Sequence, residues 1–368
     1  MTLSAAERVD WLQLIRTETI GPVSFYRLVE RFGSAGEALA RLPSLARAAG
    51  RKAAIRLADR AACERALEYA AETGARFIAS VESDYPAMLA PLADRPPLLC
   101  VKGELSLFEK RAVAIIGARN ASGVGRKMAR LLAEGLGQAG LVVVSGLARG
   151  IDGAAHEASL RTGTIAVVAG GIDVIYPPEH AGLTREIGER GLILSERPLG
   201  QQPTARDFPR RNRLISGLSL GVVVVEAAAR SGTLITARFA LEQGRDVFAV
   251  PGSPLDPRCQ GANRLIRDGA TLVETADDII DSLSSGPRRL PYPEPPAGER
   301  SLKEDDPVKI AALRARVLEA LSFTPLHRDE ILREVVAPAG AVIDALVDLV
   351  LSGEAEEHSG GRFALATD

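Results

Sequence analysis

The sequence predicts an α/β protein built on a doubly wound parallel sheet, with a small helical domain before it and a winged-helix-like domain after it. Three observations carry this expectation. Between residues 112 and 274, short apolar runs alternate with helical stretches, and near-continuous apolar strands separated by helices belong to a parallel sheet buried on both faces. Within residues 1–75, Trp11-Leu12, Leu14-Ile15, Leu28-Val29, Phe32, Leu39 and Leu42 recur at helical spacing. Beyond a Ser/Gly/Pro-rich stretch at 285–307, read as a linker, residues 308–368 pattern as short helices followed by a segment from Glu354 to Leu365 that turns at Gly360-Gly361.

In the helical domain, Thr19-Ile20-Gly21-Pro22 followed by Phe25 and Leu28 has the form of a helix-hairpin-helix turn. Such a turn either joins two helices or offers backbone amides to a DNA phosphate, and the residues leave both readings open. The central domain, 76–284, begins with an extended segment containing Tyr85-Pro86 and Arg95-Pro96-Pro97. Strands are then expected at Ala112–Ile116, Leu141–Ser145, Thr164–Ala169, Leu192–Ser195, Gly221–Glu226, Asp246–Val250 and Thr271–Glu274. Helices are expected between them, as at Arg126–Ala139 and Thr233–Gln243.

Composition narrows the function. The 368 residues carry a net charge of −2, so an anion-binding surface must be a local concentration of Lys and Arg. Aromatic residues are only 4%, which argues against a surface that holds bases mainly by stacking. Cys63, Cys100 and Cys259 stand alone, without C-x-x-C or metal-ligand spacing, which suits a reducing cytoplasm. Glu7, Arg8 and Asp10 interrupt any signal-peptide apolar region, and no apolar run approaches the roughly 18 residues of a membrane span. The expectation is a cytoplasmic protein with no membrane contact, metal or cofactor.

Open α/β sheets bind ligands at the carboxyl ends of their strands, so the loops there carry the candidate site. Gly117-Ala118-Arg119-Asn120-Ala121-Ser122 follows the first strand of the alternating series. It is not G-x-G-x-x-G, no acidic residue ends the next strand, and no P-loop sequence is present, so neither dinucleotide binding nor P-loop hydrolysis is expected. Gly117, Arg119 and Ser122 still offer donors. Ser145-Gly146 follows the second strand and leads to Arg149. Asp152 and His156 share a helix face at i,i+4 and read as loop support in preference to an acid/base pair. Gly170-Gly171 follows the third strand and suggests close backbone approach or a positive-φ turn, with a purely structural turn equally open. Ser195-Glu196 follows the fourth. Arg210, Arg211, Asn212 and Arg213, with Arg206 nearby, precede the apolar strand that ends in Glu226. Beyond Glu226, Ser231-Gly232-Thr233 opens a helix. Cations beside a strand-to-helix turn suit a phosphate-bearing ligand, and Glu226 reads as a support for an arginine rather than as a catalyst.

Together these segments resemble the DprA/Smf family of DNA-processing proteins. The resemblance rests on I-G-A-R-N-A-S at 116–122, S-G-L-A-R-G-I-D-G-A-A-H at 145–156, G-G-I-D-V-I-Y-P at 170–177, S-E-R-P at 195–198, F-P-R-R-N-R-L-I-S-G-L-S at 208–219, S-G-T-L-I-T-A at 231–237 and V-P-G at 250–252. It implies an extended Rossmann domain that binds single-stranded DNA, dimerises, and helps place the RecA recombinase on that DNA, as in natural transformation. It also implies a helical N-terminal domain of SAM or helix-hairpin-helix type and a C-terminal winged helix. Arg119 falls on the arginine of the family's G-[ST]-R motif, with Ala118 in place of the hydroxyl residue. Arg210, Arg211, Asn212 and Arg213 fall on its F-P-x-R-N-R segment. His180 stands where the family's Y-P-x-x-N has Asn.

The leading expectation is a non-enzymatic binder of single-stranded DNA, with phosphates along Arg119, Arg149 and Arg210–Arg213. The glycine and hydroxyl turns at 117, 122, 145–146, 170–171 and 231–233 allow close approach. The alternative is a nucleotide-cleaving phosphoribohydrolase on a related fold, but its P-G-G-x-G-T-x-x-E signature is missing. Residues 301–368 hold seven Lys/Arg against thirteen Asp/Glu, and the recognition-helix segment Pro338–Val350 carries Asp344 and Asp348 with no cation. Duplex readers need the opposite sign, so this domain is expected to contact protein, or the chain's own DNA-binding surface.

Overall fold

A computed structural model describes residues 2–285 and 307–366; most of the linker expected at 285–307 lies outside the described residues. The chain divides into two compact units. One comprises residues 68–92 and 99–288, the other residues 1–67, 93–98 and 289–368.

The larger unit is built on a nine-stranded sheet ordered β1-β2-β6-β5-β4-β3-β7-β8-β9. Its strands are β1 (Arg76–Ala79), β2 (Leu98–Gly103), β3 (Ala112–Ile116), β4 (Val142–Ser145), β5 (Thr164–Val167), β6 (Leu192–Ser195), β7 (Gly221–Val224), β8 (Asp246–Ala249) and β9 (Thr271–Leu272). From β3 to β9 every pairing is parallel. The sheet is not parallel throughout, because β2 runs antiparallel to β6. Crossover helices are α5 (Gly123–Gln138), α6 (Ile151–Ser159), α7 (Ala181–Arg190), α8 (Asp207–Gly217), α9 (Thr233–Glu242) and α10 (Gln260–Arg267), and α11 (Ala276–Ser285) follows β9. Before β1 comes α4 (Arg60–Glu72).

Alternation along the strands builds a core on each face. Ala112, Ala114 and Ile116 of β3 and Val222 and Val224 of β7 pack with Leu214 and Ile215 of α8, Leu218 just beyond it, and Ala237 and Ala240 of α9. Val113, Ile115 and Val223 face the other way, onto Ala129, Leu132 and Leu136 of α5 and Ala154 and Ala155 of α6. A period of two with both faces apolar is what produced the unbroken valine and isoleucine runs. The chain steps outward from β3 through β4, β5 and β6, then returns through α8 to place β7 on β3's other side. The crevice between the carboxyl ends of β3 and β7 is therefore the topological switch point, where open α/β sheets hold ligands.

In the smaller unit the N-terminal helices are α1 (Ala5–Arg16), α2 (Pro22–Phe32) and α3 (Ala35–Ala48). A capping box starts α1: Glu7 N–H donates to Ser4 Oγ at 3.3 Å, and Ser4 N–H to Glu7 Oε2 at 2.8 Å. Gly21 precedes α2 with no side-chain cap and Pro22 stands in its first turn. The C-terminal part comprises α12 (Pro307–Ala320), β10 (Leu326–His327), α13 (Arg328–Glu334), α14 (Ala339–Ser352), β11 (Ala355–His358) and β12 (Arg362–Leu365). Its antiparallel sheet, ordered β10-β12-β11, turns at Gly360 and Gly361 with φ of 79° and 62°, values glycine adopts without strain. This is the winged-helix outline read from the sequence, with Phe363, Leu346 and Val317 at the centre of its core.

Candidate nucleic-acid interface

Two loops clasp each other over the switch point. Glu226, two residues beyond β7 and 5% exposed, accepts from Ser122 N–H at 3.0 Å and from Ser122 Oγ–H at 2.5 Å. The same Ser122 oxygen accepts from Gly125 N–H at 2.8 Å and so caps α5. Gly125 must be glycine here, since a Cβ would stand 2.4 Å from Glu226 Cδ. On the other side Thr233 Oγ1 donates to Gly117 O at 3.1 Å, and Ser231 Oγ accepts from Thr233 N–H at 3.2 Å to start α9. Glu226 thus supports the site through the β3–α5 turn and not, as expected, by holding an arginine. Ser122 and Thr233 are spent on this clasp, and Gly117 is buried against Ile151. Gly232 stands exposed, with open space where a Cβ would go.

Arg119 projects from the clasp and is exposed. Its guanidinium carbon lies 4.7 Å from the centroid of the Phe208 ring, within cation–π range. Tyr176, 43% exposed, sets its ring 5.5 Å from that of Phe208, tilted by 55°. Two loops, after β3 and β5, and the first turn of α8 thereby bring one cation and two rings together at the carboxyl edge of the sheet. Arg149 is exposed and paired with the equally exposed Glu179, a contact of little energy in water.

The arginine segment is helical, because residues 207–217 form α8. At about 100° per residue, neighbouring arginines leave the axis in different directions. Arg210 remains partly exposed, with Nε 3.9 Å from Glu196 Oε1, and Asn212 is half-buried. Arg211 and Arg213, expected on the DNA wall, are buried at 5% and 1% exposure. Arg211 Nη1 donates to Gly146 O at 2.6 Å and also to Val167 O, tying the ends of β4 and β5 together. Arg213 donates to Glu196. Burial draws Arg211 down to about 10, with Asp152 opposing the shift, so the guanidinium keeps its charge at neutral pH.

Other candidates are structural for the same reason. Ser145 is fully buried and its Oγ donates to Ile115 O at 2.6 Å. A Cβ on Gly146 would stand 2.3 Å from Arg211 Nη1, so that glycine makes room for the arginine, not for a ligand. Gly170 and Gly171 are buried beneath residues 198–203: Cβ atoms there would meet Gln201 O at 2.7 Å and Pro198 O at 2.6 Å. Neither has a positive φ among the described residues, so close approach is what requires them. Asp152 Oδ2 accepts from Gly146 N–H at 3.1 Å, and burial raises its carboxyl above the usual range. His156 is fully buried, with Nδ1 2.7 Å from Thr164 Oγ1, and burial pushes its imidazole down to about 3. Asp152 therefore holds the loop after β4, and His156 braces the start of β5. His180 sets Nδ1 3.1 Å from Leu147 O and lies against Gly153, where a Cβ would be 2.7 Å from its ring, which places it in the same scaffold.

Phe208 and Tyr176 escaped the sequence reading. Phe208-Pro209 registers there only as an apolar neighbour of the arginines, and Tyr176 as part of a turn. Nothing in their spacing tells that residues 32 positions apart share one surface with Arg119.

Comparison with known proteins follows the same domain order. Residues 76–284 match the family described as DNA recombination-mediator protein A, residues 5–71 a DprA-like N-terminal HHH domain, and residues 293–361 a DprA winged helix domain. Protein Smf of Escherichia coli is 40% identical over 284 residues, 76% of this chain and 75% of the relative. Protein Smf of Synechocystis is 31% identical over 98% of this chain and 99% of its own length. Among solved structures, DNA processing protein A of Streptococcus pneumoniae superposes with a TM-score of 0.62 at 35% identity, covering 76% of this chain and 98% of that one. DNA processing protein A of Helicobacter pylori, described for its single-stranded DNA binding mode, does so with 0.53 at 31% identity over 57% and 96%. The chain belongs to the DNA recombination-mediator protein A family, the DprA/Smf proteins.

Proposed function

We propose that this chain is a non-catalytic binder of single-stranded DNA that holds the strand at the switch point of its sheet and, as a homodimer, presents it to the RecA recombinase. The observation that carries the reading is the exposed Arg119, seated on Phe208 beside Tyr176 at the carboxyl edge. A guanidinium there takes a phosphate, and the two rings give a splayed base a face to stack on. Arg149 leaves Glu179 for a phosphate at small cost because that pair is exposed. Arg210 and the open turn at Gly232 extend the track. A relative described by its single-stranded DNA binding mode shares this central domain, which supports the choice of ligand. Two such tracks in a dimer would engage one strand with avidity.

Glu226 has little part in chemistry under this reading, since both of its oxygens are engaged by Ser122. The test is fluorescence anisotropy of a labelled oligothymidine titrated at increasing salt. Wild type should show a log–log salt slope of about −0.7 per phosphate contact. Arg119→Glu should weaken binding at least about tenfold and flatten that slope by about one contact. Undiminished affinity in Arg119→Glu would sink the assignment.

A further inference from the structure

The helical and winged-helix domains belong to one compact unit, and the contact between them has the chemistry of a nucleic-acid complex. At the hairpin turn before α2, the Glu357 carboxylate of β11 accepts from Val23 N–H at 2.8 Å, Ser24 N–H at 3.0 Å and Ser24 Oγ–H at 2.6 Å. These are the free first-turn amides of an 11-residue helix with no side-chain cap of its own, where phosphate oxygens bind. The approach depends on Gly21, whose Cβ would lie 2.4 Å from Glu357 Cδ. One turn further along, Arg27 meets Asp344 in a two-armed pair, Nε and Nη2 each 2.6 Å from a carboxylate oxygen. A further turn on, Arg31 lies 3.8 Å from Asp348. Guanidinium groups hold phosphates with the same fork. Residues 1–67 carry eleven Lys/Arg against seven Asp/Glu, and residues 301–368 carry seven against thirteen, so the two domains are complementary in sign.

We propose that the winged-helix domain is an intramolecular mimic of a DNA backbone. Glu357, Asp344 and Asp348 occupy on α2 the amides and arginines that a sugar–phosphate strand would take. The N-terminal domain then engages DNA only when the winged helix is displaced. The Arg31–Asp348 end of the contact is partly solvated, with the two side chains 42% and 28% exposed against 14% for Arg27, which makes that end of the lock sensitive to salt and to competing polyanions. Val23, packed into the winged-helix core, supplies the apolar seat that keeps the lock closed in the absence of DNA.

The test uses the full chain carrying Arg119→Glu, which weakens the central site, and a fluorescein-labelled duplex. Opening the lock with Glu357→Gln and Asp344→Asn should tighten duplex binding about tenfold, because the competent state becomes populated. Adding Arg27→Glu should abolish that gain. Hydrogen exchange at Val23 and Ser24 should speed up in the opened chain and slow again when duplex is added. No gain on opening, a gain that survives Arg27→Glu, or exchange indifferent to Glu357→Gln would each overturn the proposal. Capture of an acidic polypeptide but not of the duplex would overturn it as well.

Discussion

Arg119 and Phe208 meet face to cation at 4.7 Å although one stands in the β3–α5 loop and the other in the first turn of α8, and Tyr176 completes the surface. The low aromatic content of the chain argues for a phosphate-dominated site, but composition is an average and the two rings are concentrated where the cation is. Phe208→Ala should therefore cost about 1–3 kcal/mol of single-strand affinity while leaving the salt slope unchanged, and Phe208→Tyr should retain most of it. Anisotropy with oligothymidine and with an abasic strand separates the two contributions. Equal loss on both strands would show that the ring only props up Arg119.

Arg211 and Arg119 should separate stability from binding. Removing the Arg211 guanidinium leaves Gly146 O and Val167 O without that donor and Asp152 without its compensating charge. Arg211→Ala should cost about 3 kcal/mol or more of folding stability. Arg119→Glu alters an exposed side chain and should cost less than about 1 kcal/mol. Urea unfolding followed by circular dichroism measures both, and an Arg211→Ala chain as stable as wild type would return that residue to the DNA surface.

The strands were legible because burial on both faces leaves an unmistakable mark: Val142–Val144 and Val222–Val224 have no polar position to blur them. The arginines were legible as an anion site only in type. Whether a guanidinium faces solvent depends on a helical phase and on the strand ends beneath it, so Arg210 and Arg211, adjacent in sequence, took opposite roles. Gly146, Gly170 and Gly171 announced close approach, but the identity of the approaching group, an arginine or a loop, belongs to tertiary structure. The clasp of Glu226 on Ser122 joins positions 104 apart, beyond any local pattern.

His156 gives a pH signature with a definite sign. Its folded value of about 3 lies below the ordinary 6.5, so the unfolded chain binds the extra proton first. Its contribution is intact above about pH 6.5 and is lost as pH falls toward 3, at up to about 1.4 kcal/mol per pH unit. The raised carboxyl of Asp152 works in the opposite sense, so the comparison must be between wild type and His156→Gln, which share it. Urea midpoints at mildly alkaline and mildly acidic pH should fall more steeply for wild type. Parallel pH profiles would mean that the imidazole titrates normally in the folded protein.

The clasp over the switch point makes the last prediction. Gly125→Ala forces a methyl group into the Glu226 carboxylate, 2.4 Å from its Cδ, and the carboxylate cannot retreat without releasing Ser122. Overpacking of this kind costs about 1–3 kcal/mol, and freeing the β3–α5 turn also unseats Arg119, three residues from Ser122. Glu226→Gln keeps the shape but gives up one charge-assisted acceptor, since one amide arm donates where an oxygen accepted. Both variants should weaken single-strand binding, Gly125→Ala more than Glu226→Gln, with the loss tracking the mobility of residues 117–122 in hydrogen exchange. If Glu226→Gln left binding and exchange untouched, the carboxylate would not be what holds Arg119 in place.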